Sequence, residues 1–293
     1  MDILTVAQAQ QHCTALGMAT LDAQLLLLHA LGRAPHERAW LLAHDTDALP
    51  AGVFESLAKA AQRRCDGEPL AYITGHKAFY GLDLLVDARV LVPRPDTETL
   101  VDWALEVVPC RAATESPPQR PTQTTEEGAP RVLDLGTGSG AIALALKSQR
   151  PDWQLEAVDA SADALAVARS NAQRLGLEVE FRRGVWLEDT AGVFDAIVSN
   201  PPYIREDDDH LPALRFEPRQ ALTAGADGLD DIRTIITAAR SHLRDGGWLL
   251  LEHGYDQAPA VRSLLADAGY SQVQSRKDLA GIERCSGGAW ADS

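Results

Sequence analysis

The sequence predicts an α/β protein: a mainly parallel β-sheet covered by helices on both faces, preceded by a small helical domain. Three observations carry this. From Arg131 onward, short apolar runs alternate with stretches of helical period, the pattern of repeated βα units. From Thr5 to about Arg64 the apolar positions recur only at helical spacing, with no strand-like alternation. The first strand candidate of the α/β part runs straight into a glycine loop and a helix, "VLDLGTGSGAIAL".

In chain order, the helical region breaks at Gly17, Gly32 and Pro50. Its stretch "TLDAQLLLLHALG" offers Thr20 as an N-cap, Gly32 as a stop, and Leu25 and Leu28 as packing positions. "HKAFYGLDLLVDARVLVPRP" has turn and strand character and predicts a β-hairpin joining two domains. The expected division is a helical domain over 1–75, a hairpin over 76–92 and a second domain over 93–293. A helix follows from Asp96 to about Val108. Pro109 to Pro130 is rich in Pro, Thr, Gln and Glu and has almost no large apolar groups, so it predicts a flexible insertion. Beyond it come "RVLDL", "AIALALKSQ", "WQLEAVD", "ADALAVARSNAQRLG", "VEFRRG", "FDAIVSN", "DIRTIITAARSHL" and "GWLLLEHG", strand and helix by turns.

Composition narrows the function classes. A chain of 293 residues, 45% hydrophobic and 24% charged, can bury a sizeable core. A net charge of -15 opposes a surface built to hold a nucleic-acid backbone and favours a protein or small-molecule partner. Cys13, Cys65, Cys110 and Cys285 form no CxxC pair, so no zinc site is expected and a reducing cytoplasm suits the chain. The N-terminus has no signal pattern and no apolar run approaches the roughly 20 residues that span a bilayer, so no membrane partner is expected. A monomer is expected.

Three signals fall at predicted strand ends, where open parallel sheets bind ligands. Gly136, Gly138 and Gly140 follow the first strand, with Asp134 two places before them; glycine there lets backbone turn tightly and approach a ligand without a Cβ in the way. Asp159 ends the next strand and can accept both ribose hydroxyls of an adenosine, or else cap the helix that starts near Ala162. The third is "DAIVSNPPYI". Two successive prolines cannot donate to a sheet ladder, so the strand stops there. The Asn200 side-chain carbonyl and the Pro201 main-chain carbonyl can then accept two hydrogen bonds from one planar NH2 group, with the face of Tyr203 beside it. A strand-terminating Asn-Pro turn is the plain structural alternative, and a nicotinamide-dependent oxidoreductase explains the glycine loop while leaving this tetrapeptide idle. His253 reads as structural, and Arg205 to His210 as a solvated loop or substrate rim.

"DLGTGSG", "VDAS" and "NPPY" in this order resemble the class I, Rossmann-like S-adenosylmethionine-dependent methyltransferases that modify an amide or amino nitrogen. The whole chain resembles the HemK/PrmC family, through "DAQLLLLHALGR", "RAWLLAH", "PLAYITGHKAFYG", "VPRPDTETLV" and "EPRQALTAGADGLD", everywhere except Pro109 to Pro130. "PRPDTE", Pro93 to Glu98, is similar to the branch acting on release factors rather than on a ribosomal protein.

The resemblance implies methyl transfer from S-adenosyl-L-methionine to the side-chain N5 of the glutamine in the GGQ motif of class I peptide-chain release factors. It implies that Gly136, Thr137, Gly138, Ser139 and Gly140 hold the methionine part of the cofactor, with Asp134 and Asn200 also among its contacts. It assigns Asp159 to the ribose and Trp186 to the adenine. The catalytic and substrate-holding residues are then Asn200, Pro201, Pro202 and Tyr203. One position departs from the family pattern: an acidic residue usually precedes the tryptophan, and here it is Val185. A ribosomal-protein glutamine methyltransferase, an adenine-N6 nucleic-acid methyltransferase and a non-catalytic cofactor-binding adaptor are the competing expectations.

Overall fold

The computed structural model describes residues 4–108 and 128–291. All but the last three residues of the expected insertion, 109–127, lie outside that range. The chain divides into two compact units, Met1–His76 and Lys77–Ser293.

The first unit is helical: α1 (Val6–Ala15), α2 (Thr20–Ala30), α3 (Arg38–Ala43), α4 (Val53–Cys65) and α5 (Leu70–Thr74). Helix α1 starts on a capping box in which the Thr5 hydroxyl accepts from Gln8 N and the Gln8 side chain accepts from Thr5 N. Helix α2 differs from the sequence expectation. Its N-cap is Ala19, with no side-chain hydrogen bond, and Thr20 is already helical. Leu25 is only half-buried, whereas Leu26, Leu27 and Leu28 are all fully buried. Three consecutive buried leucines mark a helix packed on several sides, here against the other four helices.

The second unit opens with a hairpin, β1 (His76–Phe79) and β2 (Leu82–Leu85), followed by a 3-10 turn at Pro95–Thr97 and helix α6 (Glu98–Val107). Then come β3 (Arg131–Leu135), α7 (Ala141–Gln149), β4 (Gln154–Asp159), α8 (Ala162–Leu175), β5 (Glu180–Arg183), β6 (Phe194–Ser199), α9 (Asp230–Ala239), β7 (Leu243–Glu252), α10 (Ala258–Asp267), β8 (Ser271–Lys277) and β9 (Glu283–Ala289). The seven strands from β3 to β9 form one sheet in the order β5-β4-β3-β6-β7-β9-β8. The first five run parallel, and β9 is antiparallel to both β7 and β8. This is the mixed α/β, Rossmann-like sheet that the alternating pattern predicts, extended by an antiparallel pair which that pattern does not contain.

Apolar side chains cover both faces of the sheet. On one lie Leu100, Trp103, Leu144, Trp153, Val198 and Leu250; on the other, Leu133, Ile197, Ile232, Ile236, Leu249 and Leu265. Burial on two faces explains why β6 and β7 read as continuous apolar runs. Strand order reverses at β3, since the chain leaves it toward β4 and β5 and later returns to lay β6 and β7 on its other side. Such a reversal opens a crevice at the carboxyl ends of the strands.

Candidate active site

Register brings the chemistry to one rung. Leu135 pairs with Val158 on one side and with Ser199 on the other, and Ser199 pairs with Leu251. The residues one step further, Asp159, Gly136, Asn200 and Glu252, therefore end four adjacent strands side by side.

On the β3/β4 side a cavity is lined by Gly136, Gly138, Asp159, Trp186, Asn200 and Asp231, among others. Gly136 has a φ of +70°, and a Cβ there would stand 3.3 Å from the Trp186 ring, so glycine is required by conformation and by contact together. Trp186 itself sits in the left-handed region at φ 50°, uncommon for a bulky residue, and its Nε1 donates to Asp231 Oδ1 at 3.2 Å. Val185, exposed in the same cavity, offers no polar atom; Asp231 supplies a carboxylate there instead.

Asp159 accepts from Ser161 N through Oδ1 and from Gly138 N through Oδ2, both at 2.8 Å. Burial pushes its pKa up against those two bonds. The N-cap of α8 is Ser161, whose hydroxyl accepts from Ala164 N at 3.1 Å, so Asp159 is not the cap. Each Asp159 oxygen keeps a lone pair for a further donor.

The other members of the predicted cofactor set lie behind this surface. Thr137, Ser139 and Gly140 are buried, as is Asp134. Thr137 Oγ1 donates to Asp134 Oδ2 at 2.7 Å, and Ala143 N donates to the same oxygen at 3.2 Å. Asp134 Oδ1 has no hydrogen-bond partner among the described residues, and burial raises this carboxyl to about 7. The Ser139 carbonyl accepts from Asn171 Nδ2, and the Asn171 amide also pairs with both main-chain polar groups of Leu85, clasping β2 and the loop to α8. A glycine-floored cavity with an indole wall and the Asp159 and Asp231 carboxylates, backed by the buried Asp134, suits a cationic ligand carrying vicinal hydroxyls and a flat ring.

Asn200 also lines a second cavity, with Pro201, Tyr203, Glu252, Arg94 and Arg284. Asn200 thus lines both cavities, as do Leu91 and Ala221. The Asn200 Nδ2 donates to Thr97 Oγ1 at 3.2 Å, which leaves Oδ1 as the free acceptor. The Pro201 carbonyl accepts no hydrogen bond from the described residues. Tyr203 is anchored at both ends: its carbonyl accepts from Gln257 Nε2 at 3.0 Å and its phenol donates to Glu252 Oε1 at 3.3 Å. Burial holds the phenol protonated, its pKa well above the ordinary value.

Glu252 carries no signal in the sequence beyond its place at the end of "WLLLE", yet it is 1% exposed and burial lifts its carboxyl to about 7. Thr97 and Tyr203 stabilise its ionised form through their hydroxyls, Asp96 opposes ionisation, and Arg284 favours it. Thr97 is equally unannounced, hidden in "PRPDTE". His253, by contrast, is fully buried with Nε2 2.8 Å from Ser286 Oγ, and burial lowers its pKa; it touches neither cavity.

Two family models match the chain: a PrmC N-terminal domain over residues 5–75 and a methyltransferase small domain over residues 122–217. A release factor glutamine methyltransferase of Bordetella pertussis is 48% identical over 93% of this chain and 95% of its own. The enzyme of the same description from Pseudomonas aeruginosa is 48% identical over 93% of each. Among solved structures, a methyltransferase from Pyrococcus furiosus superposes with a TM-score of 0.53 at 19% identity, covering 80% of this chain and all of its own. The human methyltransferase 10 domain containing protein gives 0.52 at 15% identity, over 83% and 100%. These two likenesses bear on the fold alone.

Proposed function

The chain belongs to the release factor glutamine methyltransferase family, and from that premise we propose that it transfers a methyl group from S-adenosyl-L-methionine to the side-chain N5 of the glutamine in the GGQ motif of class I peptide-chain release factors. The observation that carries this reading is that Asn200 lines two cavities, one fitted to a nucleoside-bearing cation and the other holding the Pro201 turn, the Tyr203 ring and Glu252.

Bound S-adenosylmethionine supplies an electrophilic methyl group on a sulfonium. The chain supplies orientation. An amide nitrogen is a poor nucleophile because its lone pair is delocalised into the carbonyl. With Asn200 Oδ1 and the Pro201 carbonyl each accepting a hydrogen bond from one N–H of the amide, the nitrogen would be held so that its lone pair points out of the amide plane toward the first cavity. Tyr203 and Pro202 hold that plane. Such positioning is worth on the order of several kcal/mol, with fixed dipoles adding to it. The N–C bond forms as the S–C bond breaks, and the nitrogen then sheds one proton to solvent, so no base is needed before transfer.

Gly136 and Gly138 would floor the methionine part, Asp159 would take the ribose hydroxyls, and Trp186, held by Asp231, would face the adenine. The helical unit is the candidate surface for holding the body of the release factor. A cytosolic setting, where free thiols such as Cys13 and Cys285 persist, fits the substrate.

The test is incubation with methyl-labelled S-adenosylmethionine and intact release factor, followed by peptide mapping. Label on the GGQ glutamine is expected. Label on a ribosomal-protein glutamine instead, or on adenine in nucleic acid, would overturn the substrate assignment.

A further inference from the structure

Glu252 and Thr97 remain unexplained by methyl transfer as described, although both touch the residues that perform it. Glu252 lies one step beyond Leu251, the partner of Ser199, and so abuts Asn200 across the β6/β7 rung. Thr97 is 4% exposed, immediately before α6, and receives the Asn200 amide. The Tyr203 phenol reaches Glu252 Oε1 from the other side.

The direction of these hydrogen bonds matters. A carboxamide can lie either way about its terminal bond, and only one way presents an acceptor to the substrate. The Thr97 hydroxyl has a single proton and can take a hydrogen bond from Asn200 Nδ2 while sending that proton elsewhere. The Glu252 carboxylate is the acceptor beside it: Oε2 is buried with no hydrogen-bond partner among the described residues, the Thr97 hydroxyl favours the ionised form, and Oε2 therefore has capacity for that proton. A carboxylate only accepts; it forces Thr97 to donate toward it, Thr97 then accepts from Nδ2, and Asn200 must show Oδ1 to the substrate NH2.

We propose that Glu252 is a positioning residue for the methyl acceptor: acting through Thr97 it fixes the Asn200 carboxamide with Oδ1 toward the substrate, and through the Tyr203 phenol it fixes the adjoining wall. This rests on the amide-methylation reading above and deepens it, because it explains how the pocket tells the NH2 end of a primary amide from its carbonyl end. The device has a proton dependence. A protonated Glu252 can donate to Thr97 and reverse the chain. The charged and titratable groups around it are Asp96 before α6, Arg284 and Cys285 on β9, Tyr203 after β6, and Arg94 beyond it. Burial holds Tyr203 and Cys285 protonated and lifts Glu252 to about 7.

The experiment uses the full chain with intact release factor and compares wild type, Glu252→Gln, Thr97→Val, Thr97→Ser and the Glu252→Gln/Thr97→Val double variant. Wild-type kcat should rise with pH through about 7. Glu252→Gln should lower kcat roughly tenfold or more and flatten that rise, with cofactor affinity held within about twofold. Thr97→Val should do the same, Thr97→Ser should restore activity, and the double variant should be no worse than either single one. Wild-type kcat and pH profile in Glu252→Gln would overturn the proposal, as would single losses that simply multiply in the double variant. Should Glu252→Gln fail to fold, the near-isosteric Thr97→Val and its serine rescue decide the matter by the same criteria. Absence of release-factor methylation by wild type would instead defeat the functional reading beneath it.

Discussion

The backbone N–H of Gly138 donates to Asp159 Oδ2 at 2.8 Å, so the acid that ends β4 is also a strut for the glycine loop that follows β3. Asp159→Ala should therefore weaken cofactor binding twice over, by removing the acceptor for the ribose and by loosening the loop. A loss of roughly 1.5 to 3 kcal/mol is expected in calorimetry. Unchanged affinity would leave Asp159 with the loop and Ser161 alone.

Asn200→Ala removes the side-chain acceptor shared by the two cavities without touching the glycine floor. Turnover should be abolished while cofactor affinity shifts by less than about tenfold, or about 1.4 kcal/mol. Substantial methylation by this variant would sink the acceptor mechanism.

Gly228 lies outside both cavities, yet it has a φ of +74° and a Cβ there would run into the Tyr203 carbonyl oxygen. Gly228→Ala should displace the NPPY backbone, raising KM for the release factor and costing roughly 1 to 3 kcal/mol of stability. Cofactor affinity should survive. Normal substrate kinetics would mean that the loop gives way elsewhere.

The Glu252 carboxyl is raised to about 7 in the folded chain, above its ordinary 4.5. Between these values the folded state binds more protons than the unfolded one, so the protonated group's contribution is fully present below about 4.5 and is lost as pH rises through about 7. Glu252→Gln should thus be more stable than wild type at pH 8, by roughly 3 kcal/mol, and about equal to it at pH 4. Chemical denaturation at the two pH values measures this. A destabilised variant at pH 8 would show that the ion is better solvated than its burial implies.

A pocket that reads one amide cannot alone distinguish one exposed glutamine from another, so recognition of a folded substrate needs a second surface. Deleting residues 1–75, the helical domain, should preserve cofactor binding in the remaining chain and remove most of the kcat/KM advantage of intact release factor over a GGQ peptide. Equal efficiency on both substrates in the full chain would contradict a two-surface grip.

Much of the sheet was legible because burial on both faces writes apolar runs into the sequence: "RVLDL" and "AIALALKSQ" match β3 and α7 residue for residue. The final hairpin was not. Strand β9 reads "ERCSGGA", and its Gly287 is glycine because a Cβ would press on Leu250 and, at 3.1 Å, on the Trp103 ring. A strand selected for small size loses the β-branched signature by which strands are found. The site was legible wherever one segment carried it whole, as in the glycine loop and the NPPY turn. It was illegible where it depends on strand order. Nothing in "LLLEHG" says that its glutamate will lie beside Asn200, while the neighbouring histidine, read as structural, is buried away from both cavities. Thr20 misled for a related reason, since a cap residue one place late is simply a helical residue.

Of the two acceptors offered to the amide, one is written in a side chain and the other in the peptide backbone. The Pro201 carbonyl survives every codon change at that position, so mutation can displace this oxygen but never delete it. Heritable variation in the acceptor pair is confined to Asn200 and to whatever bends the turn. A saturation scan at 201 would then report on the shape of the turn, while loss of a side-chain acceptor would map to position 200 alone.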